Sequence, residues 1–99
     1  MKNIFDEVSY SCSENVTKTY STSFSLATRL LSENIRKDIY NIYGFVRFAD
    51  EIVDSFHDYN KTELFNDFSD DLEKALINRI HLNPILNSLI IELSIFLFF

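Results

Sequence analysis

The sequence YGFVRFADEIVD, residues 43–54, lies in the most regular helical pattern of the chain. Apolar side chains recur along this pattern within one narrow arc at about 100° per residue, which predicts an amphipathic helix over residues 35–55 with its apolar arc in the core. Ser32 or Asn34 is the expected cap at its start. The arc consists of Ile35, Ile39, Ile42, Val46, Ala49 and Val53.

Weaker helical patterns lie on both sides of this segment. Upstream, apolar residues at i, i+4 spacing predict a helix over about residues 4–20, and the hydroxyl-rich residues 20–25 interrupt it. Downstream, Asn60 and Glu63 resemble a capping box, and Asn83 precedes a proline that suits a first helical turn. The upstream apolar stripe is Ile4, Val8, Cys12 and Val16, and the stripe after the capping box is Leu64, Phe68, Leu72, Ala75, Leu76 and Ile80.

The composition narrows the fold class and the class of partner. The 99 residues allow one domain at most, and they include a single glycine and a single proline, which favours an all-α fold over a turn-rich β fold. The net charge of −6 argues against nucleic-acid binding, which needs a basic surface. One cysteine, Cys12, cannot form an intrachain disulfide, and residues 1–7 contain no signal-peptide core, so a cytoplasmic protein is expected.

The final segment, residues 85–99, is almost entirely apolar after Glu92. This run is short for a membrane span, which needs about 20 apolar residues. It predicts a buried helix cut off mid-course, a frame-shifted tail or a membrane-associating end, and truncation ranks first because exposed apolar runs promote aggregation. We therefore expect the tail, residues 89–99, to associate peripherally with a membrane and to mediate self-association of the chain.

The chemistry is concentrated in a polar stripe formed by Tyr43, Arg47, Asp50 and Asp54, which fall within about 60° of one another on the helix. The two aspartates are like charges at i, i+4 spacing, which costs roughly 0.2–0.5 kcal/mol, and the nearby helix C-terminus disfavours anions. A cation would relieve both penalties. Two carboxylates one turn apart suit Mg²⁺, which completes its shell with water and phosphate oxygens, and Arg47 is placed to meet a phosphate.

The same residues also permit a simpler interpretation. A D-x-x-x-D pattern on an acidic helix is common and usually forms a solvated face, and Arg47 could pair with Asp50 or Glu51 at i+3 or i+4 spacing. Tyr43 is more often a half-buried aromatic than a site residue. The spacing alone therefore leaves the metal site and the solvated ion-pair face both open.

Three quoted segments resemble a known family when they are taken together. YSTSFSLA at 20–27, RLL at 29–31 and IYNIYGFVRFADEIVD at 39–54 are similar to the N-terminal signature of squalene and phytoene synthases. That signature is an S-x-S-F turn, a basic and apolar helix, and then Y-x-F-x-R-x-x-D-[DE]-x-x-D. NPIL at 83–86 also resembles a stretch of bacterial members. The resemblance covers most of residues 10–88 and fades after about Ser88.

The resemblance implies a function and a set of site residues. The family joins two farnesyl or geranylgeranyl diphosphates head to head in squalene or carotenoid biosynthesis, on an all-α isoprenoid-synthase fold. By position, Asp50 and Asp54 would bind Mg²⁺ on the substrate diphosphate and Arg47 would contact phosphate. The other expected substrate-binding residues are Ser21 and Ser23, which would hydrogen-bond the phosphate, and Phe24 and Tyr43, which would line the prenyl channel.

One departure from the family limits these expectations. The family carries a second aspartate-rich motif that faces the first, and no acidic pair after Asp71 supplies it. We therefore expect residues 1–99 to be a partial domain with the first motif only, inactive by itself as a prenyltransferase. The alternative from another class is a small helical interaction module derived from the enzyme, which would bind a partner without catalysis.

Overall fold

Five helices and no strand make up residues 2–97, which are the residues described by the computed structural model of the chain. The prediction of an all-α fold is confirmed. The helices are α1 (Lys2–Tyr20), α2 (Thr22–Thr28), α3 (Glu33–Asp54), α4 (Lys61–Asn78) and α5 (Pro84–Leu97).

The helices begin where polar side chains cap the first turn. The Asn60 side chain accepts a hydrogen bond from the backbone N–H of Glu63 at 3.0 Å, and Asn83 Oδ1 accepts from the backbone N–H of Ile85 at 3.0 Å. Ser32 caps α3 by position without a side-chain hydrogen bond, and the chain breaks between α1 and α2 at the single residue Ser21. The predicted helix starts at Asn60 and Asn83 are therefore confirmed.

The most apolar helix, α5, lies in the middle of the bundle and packs against α1, α3 and α4. Residues 85–90 and Glu92 are all buried, so most sides of this helix face protein. The apolar segment predicted from the sequence is thus a buried helix over this part of its length. Phe98 and Phe99, on which part of the tail prediction rests, lie outside the described residues.

No helix within residues 2–97 combines the length and the apolar character that crossing a membrane requires.

The apolar core lies between α4 and α5. Ala75, Leu86 and Ile90 are buried together there. Phe45 from α3 stacks on Phe68 from α4 with ring centroids 5.5 Å apart, and closes one side of this core.

Small residues bring α1 and α3 close together. Ser9, Ser13 and Thr17 form a fully buried stripe on α1, and Gly44 is their counterpart on α3. A Cβ atom built at Gly44 would lie 3.1 Å from Ser13 Oγ and 3.3 Å from Ser13 Cα, which is tighter than ordinary van der Waals contact. The absence of a side chain at Gly44 is therefore what allows the two backbones to approach so closely.

The predicted burial of the α3 apolar arc is wrong. Ile42 and Val46 of the α3 apolar arc are each 46% exposed, and Ile4 and Val8 of the α1 stripe are exposed as well. The opposite face of α3, which carries Asn41 and other residues of mixed polarity, packs against α1 and α5. The reason is that α5 is buried on most sides and fills the centre, and the small faces of α1 and α3 fit together most closely.

Candidate functional site

Arg47, Asp50 and Asp54 all lie in α3, as the sequence predicts. Arg47 Nη2 is 3.2 Å from Glu51 Oε2, with which it forms a hydrogen bond and an ion pair, and 4.0 Å from Asp54 Oδ2. The structure therefore contains the ion pair between Arg47 and Glu51, which the sequence analysis left open as the alternative to a metal site. The guanidinium also reaches the second aspartate of the motif, so one cation links two successive turns of the acidic stripe.

The two aspartates face solvent at the end of α3. The Asp54 side chain is 66% exposed, and Asp50 is exposed and makes no hydrogen bond or ion pair within residues 2–97. Asp54 is the last residue of the helix, where the unpaired carbonyls add negative potential. Lys61 lies near this end and donates a hydrogen bond to the backbone carbonyl of Val53. The carboxylates are thus accessible, and Asp50 has no cation of its own.

Arg47 is held by an aromatic ring as well as by Glu51. Its guanidinium carbon lies 5.2 Å from the centroid of the Tyr20 ring, a cation–π geometry. The Arg47 side chain is mostly buried, and its Nε has no hydrogen-bond partner within the described part of the chain. The arginine is therefore fixed in place, and its buried Nε–H has no acceptor among residues 2–97.

The break between α1 and α2 is anchored along α3. The rings of Phe24 and Tyr43 stack with centroids 5.2 Å apart, and the hydroxyls of Thr28 and Tyr40 are 3.1 Å apart. Together with Tyr20 on Arg47, these contacts join successive turns of the two segments in antiparallel order. The structure therefore brings the predicted prenyl-channel residues Phe24 and Tyr43 into contact, one helical turn from Arg47.

The two serines of the S-x-S-F turn differ in their surroundings. Ser21 Oγ accepts a hydrogen bond from the backbone N–H of Phe24 at 3.2 Å and so caps α2. Ser23 is exposed on α2 and makes no side-chain hydrogen bond among residues 2–97. A structural role therefore accounts for Ser21 in this structure, and phosphate binding by either serine stays a prediction.

Asp50 and Asp54 fit a magnesium ion that takes most of its ligands from water and from substrate phosphates. Within residues 2–97 no group of three or more His, Cys, Asp or Glu side chains could hold a metal ion. Asp50 and Asp54 offer two exposed carboxylates one turn apart, which is the number that Mg²⁺ usually takes from a protein when it also binds substrate phosphates. The residues present therefore fit Mg²⁺ together with a diphosphate, and they do not form a closed metal cage.

A comparison with known families shows which family the chain belongs to. Residues 17–90 match the model of the family described as squalene/phytoene synthase. The chain is a member of the squalene/phytoene synthase family. The match includes α2, α3 and α4 and ends within α5, close to Ser88, where the sequence resemblance fades. Searches of curated proteins and of solved structures found no match for the chain.

Sequence reasoning missed one contributor to the site. Tyr20, which lies under the Arg47 guanidinium, comes from the last residue of α1. Its contact depends on how α1 and α3 cross, and helical periodicity within one segment carries no such information. The signals in the sequence are that Tyr20 begins the hydroxyl-rich stretch that breaks the first helix and that it is the first residue of the family-like segment at 20–27.

Proposed function

We propose that α3 provides a magnesium–diphosphate half-site of a head-to-head prenyltransferase, with Asp50 and Asp54 as metal ligands and Arg47 as the phosphate contact. The observation that supports this most directly is the exposed, unpaired carboxylate of Asp50 beside an arginine that is already held in position. Family membership supports the reaction class. The substrate is a farnesyl or geranylgeranyl diphosphate.

The chain's own residues orient the diphosphate. Arg47 is held by Glu51 and Tyr20 before any ligand binds, so little side-chain entropy is lost when its guanidinium meets a phosphate oxygen. Asp50 and Asp54 lie one turn apart and approach the diphosphate from the same side. When bound, Mg²⁺ would neutralise the charge that develops on the diphosphate leaving group.

The exposed apolar face of α3 gives the prenyl chain a direction. Val46 lies one turn before Asp50, and Ile42 lies one turn before Val46, so an apolar strip runs from the carboxylates toward the start of the helix. The stacked rings of Phe24 and Tyr43 border this strip. A substrate whose diphosphate lies at Asp50 would therefore place its hydrocarbon chain along Val46 and Ile42.

The isolated chain should bind without turnover. Head-to-head condensation must hold two diphosphate esters at once and ionise one of them, and the family uses two facing acidic motifs for this. Positioning and leaving-group neutralisation each contribute several kcal/mol to lowering the barrier. We therefore expect no C30 or C40 hydrocarbon when the purified chain is incubated with Mg²⁺ and labelled farnesyl or geranylgeranyl diphosphate.

A binding experiment tests the half-site. Isothermal titration of the chain with farnesyl diphosphate in the presence of Mg²⁺ should show saturable binding that EDTA abolishes. The double substitution D50N/D54N should weaken this binding at least about tenfold, a loss of about 1.4 kcal/mol or more, because it removes both carboxylate ligands of the metal. Inorganic diphosphate should bind more weakly than farnesyl diphosphate, because it lacks the chain that covers Val46 and Ile42.

The chain offers a matched control on α4. Asp67 and Asp71 have the same i, i+4 spacing, and D67N/D71N changes the net charge by the same amount, from −6 to −4. This control should leave magnesium-dependent binding unchanged. Equal losses in the two double variants would mean that bulk charge governs binding, and the proposed site would be rejected. Circular dichroism of both variants checks that the helices remain.

The second candidate is an interaction module, and the exposed apolar faces of α1 and α3 are the observation that favours it. Such a module would bind a helical partner through Ile42 and Val46 without needing Mg²⁺. Absence of any magnesium-dependent diphosphate binding in a folded chain would favour this candidate over the half-site.

A further inference from the structure

A buried carboxyl group joins α5 to α3 on the side of α3 away from the aspartate motif. Glu92 of α5 is only 1% exposed, and its Oε1 accepts a hydrogen bond from Asn41 Nδ2 at 3.1 Å. Its other oxygen, Oε2, is buried and has no hydrogen-bond partner within the described residues. The carboxyl group of Asp38 lines the same cleft and is close enough to Glu92 for a hydrogen bond.

Two carboxylates cannot share a hydrogen bond unless one of them carries a proton. Burial makes the larger contribution to raising the pKa of Glu92, from 4.5 to about 7, and the hydrogen bond and negative charge of Asp38 add to it, while the Asn41 hydrogen bond opposes it. A protonated Glu92 explains the geometry, because burial costs a neutral carboxyl group far less than a carboxylate, and a carboxyl O–H can donate to a neighbouring carboxylate.

Charged groups from α1 and α3 surround the pair. A cleft of about 290 Å³ beside Glu92 is lined by Asp6, Glu7 and Tyr10 from α1 and by Lys37 and Asp38 from α3, and no described residue of α4 lines it. Lys37 lies over the Tyr10 ring, with its Nζ 4.8 Å from the centroid. None of these groups forms an ion pair with Glu92 within the described part of the chain.

Asp6, another carboxylate of this cleft, has hydrogen-bond partners of its own and stays ionised. Burial would raise the pKa of Asp6, but hydrogen bonds from Lys2 and Asn87 outweigh burial and lower it. Lys2 Nζ is 2.7 Å from Asp6 Oδ2, and Asn87 Nδ2 is 3.0 Å from Asp6 Oδ1. Asp6 therefore adds negative charge to the cleft and offers Glu92 no proton at neutral pH.

We propose that Glu92 is protonated in the docked helix, so that the packing of α5 against α3 weakens when that proton is lost. The device is independent of the aspartate motif, since it lies on α5 and on an earlier turn of α3. A bound cation is the rival occupant of the pair. It is disfavoured because Oε2 has no exposed surface, and because no group of three or more His, Cys, Asp or Glu side chains within residues 2–97 could hold a metal ion.

The direction of the pH effect follows from the raised pKa. In the unfolded chain Glu92 loses its proton near 4.5, whereas the folded chain retains it until about pH 7. The stabilisation is therefore complete below about pH 4.5, is lost progressively as the pH rises, and levels off above about pH 7. The unfolding equilibrium constant should rise about tenfold per pH unit within this window.

Urea denaturation of the whole chain at several values between about pH 5 and pH 8 tests the proposal. Glu92→Gln is the matched variant, because its amide can donate to Asp38 and accept from Asn41 and cannot titrate. From about pH 5 to pH 7, the unfolding equilibrium constant of the wild type should rise by roughly tenfold per pH unit. E92Q should show little of this pH dependence and should be the more stable chain at about pH 8. Glu73→Gln, at an exposed position of α4, should keep the wild-type slope.

Two further measurements keep the proposal falsifiable if a variant folds poorly. The ¹³C carboxyl shift of Glu92 in the wild type should titrate near pH 7, and a midpoint near 4.5 would overturn the proposal. Asp38→Asn should lower that midpoint, because it removes the neighbouring charge. Stabilisation of the wild type at pH 8 by Mg²⁺ or Ca²⁺, absent in E92Q, would show that the pair holds a cation and would also overturn the proposal.

Discussion

At the scale of single residues, the buried stripe of α1 shows that burying a hydroxyl group can either raise or lower the free energy of unfolding. Ser9 Oγ donates to the backbone carbonyl of Phe5 at 2.9 Å and accepts from Asn87 Nδ2 at 3.0 Å. Ser13, one turn later and equally buried, has no partner for its Oγ among the described residues. A satisfied hydroxyl contributes net stability, whereas an unsatisfied one retains its desolvation cost.

Alanine substitutions at these two serines should therefore have opposite effects. Ser13→Ala should raise the free energy of unfolding by about 1 kcal/mol, because it removes an unpaired buried group and improves helix propensity. Ser9→Ala should lower it by about 1 kcal/mol, because Asn87 loses one of its two acceptors. Urea denaturation of the two variants measures both values. Destabilisation of similar size in both would mean that Ser13 Oγ has a partner, such as bound water, in solution.

At the scale of the helices, the sequence predicts where they start better than which way they face. Capping by Asn60 and Asn83 is local, since the side chain bonds to the backbone two or three residues later, and these predictions are confirmed. The inward face of α3 is a tertiary property. The apolar arc through Ile42 and Val46 was expected inside, and the structure instead buries the Gly44 side.

The same distinction explains how much of the candidate site could be predicted. Arg47, Asp50 and Asp54 share one helix at spacings of three and four residues, so their common side follows from helical geometry alone. The support of Arg47 by Tyr20 requires the crossing of α1 and α3, which depends on the close approach at Gly44. Contacts between distant segments are where the prediction from this one sequence ends.

Gly44 provides a test of that crossing. Gly44→Ala should destabilise the chain by about 1–2 kcal/mol, even though alanine is the better helix former, because the added methyl group would press on Ser13. The cost should shrink in a Ser13→Ala background, which removes the oxygen at 3.1 Å but not the Cα at 3.3 Å. A double-mutant cycle in urea measures the coupling.

A matched control separates packing from helix propensity in that cycle. Ser69→Ala, at an exposed position within α4, should stabilise the chain by a few tenths of a kcal/mol. Stabilisation by Gly44→Ala of similar size to that of Ser69→Ala would show that α1 and α3 are farther apart than the structure places them.

At the scale of the whole molecule, the bundle leaves apolar surface outside while it buries polar groups inside. Glu92, Asn87 and Asn41 lie in the interior, and each of them has a buried oxygen without a hydrogen-bond partner in the described part of the chain. Ile42 and Val46 are half-exposed beside the aspartate motif. This inversion is costly for an isolated bundle, and it suits a surface that is meant to contact something apolar, as the proposed prenyl strip would.

Two isoleucines on α3 and α5 measure this inversion directly. Ile90 is 2% exposed at the core between α4 and α5, and Ile90→Ala should lower the free energy of unfolding by about 2–4 kcal/mol through lost burial and a cavity. Ile42 is half-exposed, so Ile42→Ala should change stability by less than about 0.5 kcal/mol, since little area is lost and alanine favours the helix. Urea denaturation at low protein concentration gives both values, because dilution suppresses association through the exposed face. If Ile42→Ala cost as much as Ile90→Ala under these conditions, the apolar arc of α3 would be in the core, and α3 would have to be rotated about its axis by nearly half a turn.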